Sequence, residues 1–126
     1  MENKQVQWSC VVEGIHVTPY VRMTQKSKHC DPRALRYRRC QQELAGAFRG
    51  LGLGSVGRYP CRVRIRYSLD DQRKRAGDCD NVAKTVLDSL VWAGVLSDDS
   101  MRQVLGVSIE VEVEVGGVQK LEVEVE

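Results

Sequence analysis

Six polar residues between positions 78 and 99 have the types and spacing to do chemistry: Asp78, Asp80, Lys84, Asp88, Asp98 and Asp99. Asp78 and Asp80 flank Cys79. In an extended lead-in to a helix, alternate residues point the same way, so the two carboxylates are expected on one side and Cys79 on the other. Neighbouring carboxylates repel unless a cation neutralises them. Mg²⁺ is the natural occupant, because it is hard, prefers oxygen ligands and keeps waters for chemistry; Mn²⁺ is a possible substitute. Asp80, Lys84 and Asp88 lie four residues apart, which places them in one stripe of a helix. A lysine one turn from the carboxylates can contact a phosphate or stabilise developing negative charge. The same spacing also describes a surface ion-pair ladder of little energetic value.

Asp99 is expected to complete the set. A helix of roughly 13 residues is about 20 Å long, and five extended steps from Gly94 cover at most about 17 Å. An extended return therefore brings Asp99 back to the first or second helical turn. Asp98 and Asp99 would then point opposite ways, and only one would bind metal. The alternative is that the pair caps a short turn beginning at Ser100. Carboxylates, a metal, a lysine and the free N–H groups of a helix start suit in-line phosphodiester hydrolysis.

These residues need elements to position them. Val82, Val86, Leu90 and Ala93 form a buried stripe for a helix over 80–93, and Gly94 stops it. Asp31-Pro32 is a helix start, followed by Tyr37, Cys40, Leu44 and Phe48 at helical spacing. Arg33, Arg36 and Arg39 share another side of that helix. The glycines at 50, 52, 54 and 57 end it without the G-K-[ST] of a phosphate-binding loop. Residues 7–17 read as a first strand and 18–30 as a basic loop. Residues 61–69 alternate Cys61, Val63, Ile65 and Tyr67 with Arg62, Arg64 and Arg66, a strand with one apolar and one basic face. Residues 70–77 read as a charged loop. Residues 104–115 and 121–125 alternate aliphatic residues with glutamate around Gly116-Gly117, the pattern of an antiparallel hairpin with a solvated glutamate face. The fold class is therefore α+β: a single domain over 1–126, with two main helices packed on one side of a mixed β-sheet and a C-terminal β-hairpin.

The net charge of +2 hides an asymmetry. Residues 22–75 hold fifteen Lys/Arg against four Asp/Glu, and the remainder holds four against thirteen. One half is suited to phosphates. The five cysteines, Cys10, Cys30, Cys40, Cys61 and Cys79, form no C-x-x-C pair. Reduced thiols are expected, rather than a disulfide framework or a zinc site. With no apolar leader at the N-terminus and no long apolar run, a soluble cytoplasmic protein with no membrane association is expected.

The pattern Asp78-x-Asp80-Asn81-x-x-Lys84-x-x-x-Asp88-x-Leu90, then Gly94-Val95 and Asp98-Asp99, resembles the RusA family of Holliday junction resolvases. Arg22-Met23-Thr24 and Asp31-Pro32-Arg33-Ala34 with Tyr37 look like the N-terminal signature of its phage-type members. The resemblance implies a homodimer that resolves four-way DNA junctions with Mg²⁺ by paired nicks, in DNA recombination and repair. It implies that Asp78, Asp80 and Asp99 are the essential carboxylates and that Lys84 is also needed. It further implies a bacterial cytoplasm and a phage or prophage origin. Arg22, Lys26 and Lys28 in the first basic loop, and Arg73, Lys74 and Arg75 in the second, are the expected DNA contacts. The chain departs from the family pattern at Gly77, where a basic residue usually precedes the first aspartate, and at Tyr20-Val21, where many members are richer in Pro and Arg. The alternative reading is a non-catalytic module that holds branched DNA without cutting it. A hydrolase for a small phosphorylated molecule is disfavoured, because the sequence has no nucleotide-binding loop.

Overall fold

The structure, a computed structural model, describes residues 5–21, 31–74 and 78–126. Its elements are β1 (Trp8–Glu13), α1 (Pro32–Gly50), β2 (Cys61–Leu69), a single 3₁₀ turn (Gln72–Lys74), α2 (Cys79–Trp92), β3 (Val104–Val113) and β4 (Lys120–Val125). The four strands form one mixed sheet in the order β1-β4-β2-β3.

Alternation along the strands separates the two faces. Val63, Ile65 and Tyr67 of β2, Leu121, Val123 and Val125 of β4, and Trp8, Cys10 and Val12 of β1 are buried together with Leu44 and Phe48 of α1 and Val86 and Leu90 of α2. Both helices thus cover one face of the sheet, as the α+β reading expects. The other face carries Arg62, Arg64 and Arg66, all exposed. Register pairs Arg64 with Glu124 and Arg66 with Glu122 on one side, and Arg66 with Glu110 on the other. Arg64 reaches Glu124 at 3.9 Å and Glu126 at 3.8 Å, and Arg66 reaches Glu110 at 3.9 Å. The charges segregated along the chain are therefore interleaved in space here, and β2 presents no purely basic face.

The two C-terminal strands form, but they are not a hairpin. β2 lies between them, parallel to β3 and antiparallel to β4. The reason is the crossover: α2 carries the chain from the end of β2 back to the start of β3, as a parallel pair requires. β3 thereby takes one edge of β2 and leaves β4 the other. The connection then passes across the end of β2, where Glu114 N–H donates to the Leu69 carbonyl at 2.9 Å and Gly116 N–H to the Asp70 carbonyl at 3.3 Å. Gly116, at φ +78°, supplies the left-handed step in this connection.

α1 begins where Asp31-Pro32 indicates. Asp31 takes the N-cap and accepts a hydrogen bond from Arg33 N–H at 2.9 Å. Its stripe of Tyr37, Cys40, Leu44 and Phe48 is buried. β1 is shorter than the sequence indicates, because Gly14 turns the chain at φ +81° after Glu13.

Candidate active site

α2 starts at Cys79, one residue earlier than the sequence indicates, with Asp78 as its N-cap at φ −90° and ψ 144°. Asp80 is thus in the first helical turn, not in an extended lead-in, and the alternation argument for a shared direction with Asp78 does not apply. The shift arises because Asp78 is extended and takes the cap position itself. Its carboxylate makes no capping hydrogen bond and is exposed.

Asp80, Ala83, Lys84 and Leu87 of α2 form one wall of a cleft of about 330 Å³. Val107 and Ile109 of β3 also line it, together with Asp99 from the α2–β3 connection. The structure thus brings Asp80, Lys84 and Asp99 to one cleft, while Asp78 stands at the helix cap outside its lining. Among the described residues, no three His, Cys, Asp or Glu side chains stand close enough together to hold a metal ion.

The return from α2 explains how Asp99 arrives. Gly94, at φ +79°, turns the chain. Val95 and Leu96 are then buried, and Val56 N–H donates to the Val95 carbonyl at 2.8 Å. The aspartate pair divides its roles. Asp98 Oδ1 accepts from Asp99 N–H at 2.7 Å and Ser100 N–H at 3.2 Å. The Asp99 amide is the main cause holding the Asp98 carboxyl below its usual range. Asp98 therefore caps the turn, and its neighbour lines the cleft.

Lys84 stands among residues from distant parts of the chain. Its ammonium lies 5.0 Å from the centroid of the Tyr20 ring and 3.8 Å from Asp88 Oδ1. Asp88 Oδ2 accepts a 2.8 Å hydrogen bond from the Tyr37 hydroxyl. Burial above all, and then this bond, push the Tyr37 hydroxyl pKa far up, so it remains a donor. Tyr20 packs edge-on against Tyr37 at 5.4 Å. The sequence alone reads 18–30 as a loop and does not mark Tyr20 as part of the site. No local pattern marks it, because its partners are on α1 and α2.

The segment bearing Tyr20 is fastened by buried polar contacts. Val17 N–H donates to the Tyr67 hydroxyl at 2.8 Å, Thr85 Oγ1 to the Thr18 carbonyl at 2.6 Å, and Tyr20 N–H to the Asn81 carbonyl at 3.0 Å. Thr85 is fully buried. Thr85→Val keeps the shape but leaves the Thr18 carbonyl without this donor. We expect a loss of about 1–2 kcal/mol in denaturant unfolding; an unchanged midpoint would show that the bond fastens nothing.

The expected DNA contacts fare unevenly. Arg22, Lys26, Lys28 and Arg75 lie outside the described residues, as does Gly77. Arg73 is in the 3₁₀ turn. Lys74 is turned onto its own surroundings, 2.8 Å from Asp70 Oδ1 and 3.3 Å from Gln119 Oε1. On α1, Arg36, Arg38 and Arg39 are exposed and have no ion pair among the described residues, unlike Arg64 and Arg66 of β2.

A DNA-cutting enzyme is the class that comparison with known families assigns. The chain matches the family described as Endodeoxyribonuclease RusA over residues 4–126. It belongs to the RusA endodeoxyribonuclease family. A search of curated proteins finds no match. Among the described residues, no helix is long and apolar enough to cross a membrane.

Proposed function

We propose that the chain is a divalent-metal-dependent endonuclease that resolves four-way DNA junctions as a homodimer. The observation that carries this reading is the shared cleft of Asp80, Lys84 and Asp99 in a chain that belongs to this nuclease family. The donor set suits Mg²⁺, with Mn²⁺ as a substitute. Asp80 and Asp99 are hard, exposed oxygen donors at one cleft, and the Asp78 carboxylate is not spent on its cap. Asp80 and Asp99, which share the cleft, would hold the metal, with Asp78 joining them once the ion draws the three carboxylates closer than they stand without it. The metal would supply an activated water and stabilise the leaving oxygen. Lys84 places its ammonium where a scissile phosphate would sit and offsets charge developing on it. The first-turn amides of α2 add a positive dipole end beside the same phosphate.

The basic loop residues Arg22, Lys26 and Lys28, with Arg73, Lys74 and Arg75, are read as DNA contacts, joined by Arg36 and Arg39 of α1. A two-fold dimer suits a four-way junction, because each subunit presents one site to one strand. The natural setting of such an enzyme is DNA recombination and repair in a bacterial cytoplasm, encoded by a phage or prophage.

The test is a labelled synthetic four-way junction beside a matched linear duplex, each with Mg²⁺ and with EDTA. Symmetric nicks confined to the junction and to Mg²⁺ support the reading. Tight junction binding with no nicks under any divalent metal overturns it in favour of a non-catalytic binding module. The division between the paired aspartates gives a second expectation. Asp99→Asn should abolish cutting, whereas Asp98→Ala should only slow it severalfold by loosening the turn that presents Asp99. Equal losses in rate assays would remove the distinction.

A further inference from the structure

We propose that Tyr20, Tyr37 and Asp88 are positioning residues that hold the Lys84 ammonium at the cleft shared with Asp80 and Asp99. This rests on the reading of Lys84 as the group that meets the phosphate. A lysine ends in a compact charge on a flexible four-carbon stem. Such a cation is useful at a reacting centre only when its neighbours restrict it.

The restraint is built from the interior outward. Tyr37 is almost wholly buried, and a buried tyrosine hydroxyl needs a partner. It donates to Asp88 Oδ2 at 2.8 Å, which fixes the carboxylate and leaves Oδ1 3.8 Å from Lys84 Nζ. On another side the ammonium meets the Tyr20 ring, 5.0 Å from its centroid. That ring is itself held edge-on to Tyr37 at 5.4 Å, and its backbone N–H is tied to the Asn81 carbonyl at 3.0 Å. The Lys84–Asp88 pair is long and part-exposed, so as a stabilising ion pair it is worth little. A simple surface ladder has no use for an aromatic wall or a buried hydroxyl anchor. The effect of these contacts is direction: carboxylate and ring confine the ammonium to the α2 wall that faces Asp99.

The test is a double-mutant cycle on single-turnover cleavage of a pre-bound four-way junction. Asp88→Asn keeps the shape and can still accept from Tyr37. It is expected to slow cleavage roughly tenfold, with junction affinity and Tm close to those of the unaltered protein. Lys84→Ala should lose more. The double variant should be no slower than Lys84→Ala alone, because two changes acting through one group do not add. Multiplicative losses, or full-speed cleavage by Asp88→Asn, overturn the proposal. A fully active Lys84→Ala instead overturns the role of Lys84, and the proposal with it.

A second measurement does not depend on cutting. After reductive ¹³C-methylation, the Lys84 signal is identified by its absence from Lys84→Arg. It should be displaced upfield by the Tyr20 ring, and should move to the position of exposed lysines in Tyr20→Leu and in Asp88→Asn. An undisplaced Lys84 signal in the unaltered protein overturns the proposal whatever the enzymatic result.

Discussion

Asp80→Asn should reduce junction cleavage by on the order of a thousandfold, a loss of several kcal/mol of transition-state stabilisation, while the protein folds and binds junctions as before. Asp80 is exposed in the first turn of α2, so the substitution opens no cavity and strands no buried group. Removing one negative charge beside a phosphate lowers the repulsion between the protein and DNA. The expected result is therefore a dissociation of functions: unaltered circular dichroism, junction affinity equal to or tighter than before, and nicking lost under Mg²⁺ and Mn²⁺ alike. Cleavage within tenfold of the unaltered enzyme would exclude Asp80 as a metal ligand. Loss of both binding and cleavage would point to a folding role that its exposure does not support.

The largest stability loss is expected at Phe48. The ring is 1% exposed and meets Trp8 of β1 edge-on, with centroids 6.1 Å apart. It joins α1 to the edge strand β1, and neither Phe48 nor Trp8 lines the candidate cleft. Phe48→Ala removes the ring and leaves a cavity that the surrounding aliphatic side chains can only partly fill, at a cost of about 3–5 kcal/mol. For a domain of this size that corresponds to a fall in Tm on the order of 10–20 °C. Scanning calorimetry measures it directly. A fall of only a few degrees would mean that α1 repacks onto β1, and cleavage at low temperature should persist in either case.

What could be read in advance was what is local. Asp31-Pro32 and the stripe from Tyr37 to Phe48 specify a helix start and a buried face within one short window, and α1 follows them. The alternation in 61–69 likewise sorts its side chains onto two faces. Alternation tells which face a residue occupies but not which strand lies beside it. The Val/Glu pattern of 104–115 and 121–125 fits a hairpin as well as it fits two strands on opposite edges of β2. The α2 crossover decided between them, a long-range fact with no local signature. The candidate site divides the same way. The polar residues at 78–99 are conspicuous in spacing, yet the start of α2 differs by one residue, enough to place Asp80 in the helix rather than before it. Tyr20 could not be read at all, because its relation to Lys84 exists only once the segment at 17–20 is laid across both helices.

The interleaving of arginine and glutamate on the open sheet face also affects how the protein responds to salt. DNA binding releases condensed counterions, about 0.9 for each phosphate neutralised on a duplex. Arg64 and Arg66 already have carboxylates within 4.0 Å and are poor candidates for displacing those ions. The slope of affinity against salt therefore reports on cations without such partners, among the described residues Arg36, Arg38 and Arg39 of α1. It should fall well short of the fifteen basic residues counted between positions 22 and 75. The glutamates spaced along β3 and β4 thus limit how strongly the enzyme grips DNA in general, leaving more of its selectivity to shape.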